Sequence, residues 1–209
     1  MADVLHWSRL ETPRTPADML CTTMRPAFRE DKLTQAAALF LKLRGGTMSH
    51  LKLMKLLYMA ERQALLTWRR PIVYDCYVCM DKGPVLSRAL NIIHGEEHEN
   101  DSFWSRHISP CANNEVSLIQ DPGTGNLSDA EVSLIERLFD QHGRKSRWEL
   151  CDLTHEFPEW QDPQGSSIAI DYRDILKGSG MTDIEAQSII DEIESLAMMD
   201  SLMGKQVGD

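Results

Sequence analysis

Two apolar stripes with helical spacing, separated by a pair of glycines, constrain the fold of this chain more than any other feature. Apolar residues recur at intervals of three and four over 31–44, which predicts a helix with Asp31 as its N-terminal cap. Gly45-Gly46 ends that helix, because glycine takes the left-handed cap conformation without a Cβ clash. A second helix is predicted over 49–68 and ends before Pro71. Its inward-facing residues are Leu53, Leu56, Leu57, Ala60 and Ala64.

Short strands are predicted on both sides of the chain's midpoint. Residues 72–80 are rich in β-branched and aromatic types and indicate a strand, with 115–120 as its antiparallel partner. Residues 166–170 are a candidate edge strand. Pro84 suits the first position of a helix, so a helix is predicted from Val85 to about Ile93.

Three later helices carry the same start signal, a capping box in which a hydroxyl and a carboxylate satisfy free backbone amides. The pairs are Ser128 with Glu131, Ser146 with Glu149, and Thr182 with Glu185. The polar stretch 95–114 is predicted to be a loop. The expected fold is therefore mainly α (α+β): a helical domain with a small antiparallel β element.

The chain divides into one domain and two flanking segments. Residues 1–23 contain Pro13 and Pro16 and no sustained period, so they are interpreted as a flexible extension that folding does not require. A single domain is expected over 24–203, followed by a frayed tail at 204–209.

The net charge of −10 is unevenly distributed along the sequence. Residues 25–70 carry a net charge of +7, whereas residues 71–209 carry −16. A dominant acidic field favours basic protein partners and disfavours non-specific nucleic-acid binding. No apolar run approaches the ~20 residues that span a bilayer. The five cysteines are odd in number and irregularly spaced, which favours a reducing compartment, and a cytoplasmic location is expected.

The motifs that could carry catalysis or bind a metal are weak. His94 and His98 fit the H-x-x-E-H pattern of zinc peptidases, but Gly95 lies inside the motif and polar loop residues follow it. Cys76 and Cys79 form a single C-x-x-C without a second ligand pair, which is typical of ordinary strand cysteines rather than of zinc. We therefore expect no enzyme activity, no metal and no cofactor.

A nucleophilic site and a phosphate-binding loop are also poorly supported. His155 with Cys151 or Ser146 lacks the glycine-framed turn that exposes a nucleophile. Phosphate-cradling and dinucleotide-binding glycine patterns do not occur in the sequence.

A helix-turn-helix over 31–67 is the alternative hypothesis. Lys52, Lys55 and Arg62 on its second helix could meet DNA phosphates. The competing interpretation is a plain helical hairpin whose lysines lie on a solvated face. The acidic remainder of the chain disfavours DNA as a partner.

Residues 51–90 and 127–160 resemble the Panacea (SocA-like) antitoxin domain family. The first segment carries its K-L-L-Y helix, P-I turn and G-P-V motif, and the second carries its helix end and its closing T-H and tryptophan. Asp152 departs from the serine or small residue that is common there. The family-motif residues are Lys55, Tyr58, Gly83, Pro84, Thr154, His155 and Trp160, expected to be mostly structural with a possible part in partner binding.

The resemblance implies an antitoxin that neutralises a cognate protein toxin by direct binding, with delivery of the toxin to a protease in some relatives. A protease or a chaperone is therefore a further candidate partner. Phe103, Trp104 and Trp148 are candidate partner anchors, because aromatic residues dominate interface energetics. Buried aromatics are nevertheless commoner than interface ones. The toxin, the interface and the oligomeric state stay open at this point.

Overall fold

The computed structural model describes residues 26–96 and 102–204. The extension at 1–23, His98 and residues 205–209 of the tail lie outside the described residues. Within the described residues, eight helices account for most of the ordered backbone, and five short strands form two small antiparallel sheets. The expected mainly helical fold with a small β element is therefore confirmed.

The helices, renumbered in chain order, have the following bounds: α1 Glu30–Arg44, α2 His50–Trp68, α3 Ser87–His94, α4 Phe103–His107, α5 Asp129–His142, α6 Arg147–His155, α7 Tyr172–Gly178 and α8 Asp183–Gly204. The strands are β1 Thr47–Ser49, β2 Tyr77–Cys79, β3 Val85–Leu86, β4 Glu115–Ser117 and β5 Ile168–Ile170.

Helix α2 is the central element of the fold. It contacts α1, α3, α5, α6 and α7 as well as strands β1 and β3. All five residues predicted to face inward are buried, and each buried leucine contributes roughly 1.5–3 kcal/mol of transfer free energy. Because neighbours cover α2 on most sides, three of its charged residues are buried too, namely Lys52, Lys55 and Glu61.

The first sheet contradicts the predicted pairing of residues 115–120. Strand β4 pairs with β1, in the register Met48 opposite Val116, and not with residues 72–80. Gly45 and Gly46 both have positive φ, 97° and 99°, and turn the chain from α1 directly into an extended segment. That segment offers β4 a free edge beside α1 and α2.

The second sheet has the order β3-β2-β5, so both edges of β2 are occupied by other strands. The edge strand predicted at 166–170 is confirmed, with Ala169 opposite Val78. The strand predicted over 72–80 is limited to 77–79, because Tyr74 adopts a left-handed conformation at φ 58°.

The helix predicted from Val85 begins later, and Pro84 is not its first residue. Val85 pairs with Val78 in the sheet, and α3 begins at Ser87. The buried carboxylate of Asp75 accepts hydrogen bonds from the amides of Arg88 and Ala89 in the first turn of α3. A side chain distant in sequence therefore fixes the start of α3.

The stretch predicted as a loop at 95–114 contains the short helix α4. The Ser102 side chain accepts from the Ser105 amide at its start. Trp104 is 1% exposed and its amide donates to Glu30, which anchors α4 to α1. Burial of this tryptophan orders a segment that is otherwise polar.

The three predicted capping boxes are confirmed by reciprocal hydrogen bonds at Ser128, Ser146 and Thr182. The predicted cap at Asp31 is wrong. Helix α1 begins at Glu30, and the Asp31 carboxylate pairs with the Arg29 guanidinium instead. Among the described helices, none combines the length and the apolar character needed to cross a membrane.

Lys52 supplies a testable link between α2 and the end of α5. Its buried amine donates to the carbonyl oxygens of Gly143 and Lys145, at 2.7 and 2.6 Å. Lys52→Met leaves both carbonyls without this donor, so we expect the free energy of unfolding to fall by about 1–3 kcal/mol. Lys42→Met removes an exposed pair with Asp121 and should cost no more than about 1 kcal/mol in the same denaturation assay. Equal stability of the two variants would contradict the proposed role of Lys52 in holding the carbonyl groups at the end of α5.

Candidate functional site

Lys55 lies at the middle of α2 and is completely buried, with 0% of its surface exposed. Its amine donates to the carbonyl oxygen of Pro84 at 2.7 Å. Burial lowers the pKa of Lys55 to about 7, because the charged form loses its hydration. The side chain therefore ties the centre of α2 to the turn that precedes β3.

Gly83 occupies a position that only glycine fits. Its φ is +91°, and a Cβ there would lie 2.6 Å from Thr154 Oγ1, 3.0 Å from His155 Cδ2 and 3.0 Å from Lys55 Nζ. The turn at 81–84 thus contacts α2 and α6 simultaneously. Absence of a side chain permits this close approach.

Helix α6 ends against the same turn. The His155 ring stacks on Trp160, with the ring centroids 4.2 Å apart, and the indole of Trp160 donates to the carbonyl oxygen of Met80. Thr154 is buried and donates to the carbonyl oxygen of Cys151. These contacts close the turn from the side opposite Lys55.

Tyr58 joins the same region one turn further along α2. Its hydroxyl donates to Glu159 Oε1 at 2.8 Å, and Arg62 Nε donates to the same oxygen at 2.7 Å. Burial, together with the neighbouring Glu159 carboxylate, raises the pKa of Tyr58. Glu159 directly precedes Trp160, so the chain after α6 is held to α2.

All seven family-motif residues thus come together, although they lie in three separate parts of the sequence. We call this group the motif cluster, consisting of Lys55, Tyr58, Gly83, Pro84, Thr154, His155 and Trp160. Six of its members contact one another through hydrogen bonds, ring stacking and close packing, and Tyr58 is linked to them through Glu159, the residue before Trp160. This arrangement joins α2, the turn at 81–84 and α6 into one unit.

Two buried acids were not singled out as site residues from the sequence. The Glu61 carboxylate accepts from the amides of Ile72 and Val73 and from the Tyr77 hydroxyl. Burial raises the pKa of Glu61 to about 8 and that of Asp75 to about 6. The helical spacing of Glu61 from Leu57 and Ala64, both assigned to the inner face, was the signal that it would be buried.

The structure contradicts the DNA-binding role of the cations on α2. Lys52 binds backbone carbonyls, Lys55 is sealed inside the protein, and Arg62 pairs with Glu159. The competing interpretation, lysines on a solvated face, is equally wrong for Lys52 and Lys55. Both errors have one cause: α2 is enclosed by neighbours that periodicity within its own sequence does not reveal.

The three candidate anchors occupy different environments. Trp104 belongs to the core and is not a surface anchor. Phe103 is partly buried beside the His107 ring, with the centroids 4.5 Å apart. Trp148 is 51% exposed. Of the three, Trp148 has the exposure that a contact with another protein requires.

The histidine, cysteine and serine motifs noted in the sequence do not form a recognisable catalytic or metal site within the described residues. His94 is exposed beside His50, and no group of three or more metal-ligating side chains occurs within 26–96 and 102–204. Cys79, a buried thiol, accepts from the Gln161 amide. The Ser146 hydroxyl accepts from the Glu149 amide and so caps α6.

The fold and the motif cluster define a small helical domain organised around one enclosed helix. The family model described as "Antitoxin SocA-like, Panacea domain" matches residues 53–161, which is 109 of the 209 residues. The chain therefore belongs to the SocA-like Panacea domain family. Comparisons with curated proteins and with solved structures gave no significant match.

Gly83→Ala tests whether close packing holds the motif cluster together. The new Cβ would meet three side chains in a strained backbone conformation, so we expect a loss of about 3 kcal/mol or more in the free energy of unfolding. Gly45→Ala is the matched control, because Gly45 has a similar φ of +97° but nothing within 4 Å of its added Cβ. It should cost only about 1 kcal/mol. Equal losses in chemical denaturation would show that the packing around Gly83 is unimportant.

The buried carboxyl group of Glu61 should make the free energy of unfolding depend on pH. Its pKa is about 8 in the folded protein and 4.5 as the reference value. Between these values the folded state keeps a proton that the unfolded state has released, so stability falls as pH rises from 5 to 7. Glu61→Gln should flatten this decline in urea denaturation midpoints measured at each pH. A decline of equal slope in the variant would assign the effect to other groups.

Proposed function

We propose that this protein is the antitoxin of a bacterial or phage toxin–antitoxin system and neutralises a cognate protein toxin by direct binding. The family match over residues 53–161 carries the proposal. That range contains all seven residues of the motif cluster. A cytoplasmic location, where a toxin acting on the cell's own machinery would be met, is part of the same proposal.

The geometry of the motif cluster supports a binding protein. Lys55 is fully buried, and Gly83 is in contact with the side chains of Thr154 and His155. Groups enclosed in this way stabilise a shape, whereas a catalytic group has to reach its substrate. The family motifs therefore serve as a rigid framework, and recognition is left to the surface around it.

Neutralisation needs only a tight complex that covers the active surface of the toxin. An interface of about 1,600 Å² with a few aromatic or arginine anchors is sufficient for this. The net charge of −10 favours encounter with a basic toxin. Inhibition by direct binding requires no protease, so it should be reproduced with two purified proteins.

DNA binding is the alternative outcome of the test, although Lys52 and Lys55 are buried and Arg62 pairs with Glu159. Reversing Lys52 or Lys55 would disrupt the fold and could not separate the two functions. Lys42 and Arg44 near the end of α1 are exposed and provide usable substitutions. A repressor should lose operator affinity on Lys42→Glu with Arg44→Glu.

Co-expression with the product of the adjacent reading frame tests the proposal. We expect that product to arrest growth alone, and we expect the full chain to restore growth and to co-purify with it. The Lys42→Glu, Arg44→Glu variant should rescue equally well. Lack of both rescue and complex, together with specific nanomolar DNA binding, would overturn the antitoxin proposal.

A further inference from the structure

An exposed tryptophan between two cations marks one part of the surface. Trp148 lies in the first turn of α6 and is half exposed. The Arg147 guanidinium carbon lies 5.1 Å from the centroid of the Trp148 ring, and Lys82 Nζ lies 5.9 Å from that centroid. Both distances fall within the range of cation–π attraction. Tryptophan and arginine are the residue types enriched in binding hot spots.

The two cations are available to an incoming anion. Neither Lys82 nor Arg147 forms an ion pair with a carboxylate of the described residues. The nearest acids in sequence keep their charge but are hydrogen-bonded to backbone amides: Asp81 accepts from the Gly165 amide, and Glu149 accepts from the Ser146 amide. Two cations without a salt-bridge partner among the described residues thus flank one aromatic ring, on a chain whose net charge is −10.

The motif cluster holds Lys82 and Trp148 at a fixed position relative to each other. Lys82 directly precedes Gly83 in the turn, and Trp148 lies on the same helix as Thr154. Because Gly83 packs against Thr154 and His155, the turn and α6 keep a constant separation. Lys82 and Trp148 are therefore presented together on rigid elements, which lowers the entropy lost when a partner binds.

A groove lies beside the turn at 81–84. Its volume is about 280 Å³, and Lys82 and Gly83 are among its lining residues. Its apolar lining residues are Leu51, Met54, Met80, Val85 and Leu90, and its polar lining includes His50, His94 and the Asp81 carboxylate. Methionine adapts its shape to different apolar side chains. One extended segment could therefore place an apolar side chain in the groove and a carboxylate at Lys82.

We propose that Lys82, Arg147, Trp148 and this groove form the docking surface for a toxin segment that combines carboxylates with apolar side chains. The inference rests on the proposed function and adds the chemistry of the partner at one surface. Carboxylates match the paired donors of the Arg147 guanidinium. A toxin that is basic overall would approach the acidic chain by long-range attraction and place the carboxylates of this segment at Lys82 and Arg147.

Substitution of Asp152 tests the docking surface, because it should strengthen the complex whereas substitution of Arg147 should weaken it. Asp152 lies one turn after Trp148 on α6 and is exposed. At this distance it repels an acidic segment, so Asp152→Asn should strengthen the complex about 3-fold. Arg147→Glu should weaken it, although glutamate in the first turn of a helix is favourable for the helix itself. Opposite effects of the two substitutions cannot arise from loss of folding.

The experiment measures dissociation constants between the full chain and the purified product of the adjacent reading frame. Trp148→Ala and Arg147→Glu should each raise the dissociation constant roughly 30-fold or more, with unchanged melting temperatures. The matched controls are Ile119→Ala, at another exposed apolar residue, and Arg137→Glu, at an exposed arginine of α5. Both should stay within about 3-fold of the wild type.

The possible failures are distinguishable. If the wild-type complex forms and neither Trp148→Ala nor Arg147→Glu changes its dissociation constant, the docking surface is overturned and the antitoxin function is left intact. Absence of any wild-type complex would overturn both. A labelled 20-nucleotide single-stranded RNA serves as the competing probe, since stacking on tryptophan and contact with arginine also suit nucleic acid. RNA binding that is lost in Trp148→Ala, without an effect on the protein complex, would overturn the assignment to an acidic protein segment.

Discussion

The hydrogen bond from the Lys55 amine to the Pro84 carbonyl, at the centre of the molecule, is the interaction on which the rest of the structure depends. A lysine is rarely buried without a charged partner, because desolvation of its ammonium is costly. Here burial lowers the pKa of Lys55 to about 7, and a substantial fraction is neutral near physiological pH. The amine then behaves as a hydrogen-bond donor that positions the turn at 81–84. Gly83 brings that turn into contact with α6, and the lysine, the turn and the helix form one rigid unit.

The local structure of the helices could be predicted from the sequence, because it depends on neighbours three or four residues apart. The apolar stripes gave α1 and α2 within one residue at each end, and the capping boxes at Ser128, Ser146 and Thr182 gave the starts of three later helices. Strand partners depend on distant contacts, and one of those predictions failed. Strand β4 pairs with β1, because Gly45 and Gly46 create an edge that composition does not reveal.

The candidate site could be predicted only through the family resemblance. Residue types and spacing assigned Lys52 and Lys55 to an exposed face, since lysine is usually solvated. The structure encloses both, because α2 is covered by helices from the later half of the chain. The motifs selected the right residues but could not show that they contact one another. Trp148 was one of three aromatic candidates, and its exposure depends on the packing of α6, which periodicity does not determine.

We propose that the enclosed framework of α2, the turn at 81–84 and α6 presents a binding surface for a protein partner. Hydrogen–deuterium exchange of the full chain, alone and mixed with the product of the adjacent reading frame, tests it most directly. We expect slow exchange of α2 amides in both samples. We also expect the partner to slow exchange at 81–84 and in the first turn of α6. Rapid exchange of α2 in the free protein, or an unchanged exchange pattern on mixing, would contradict this proposal.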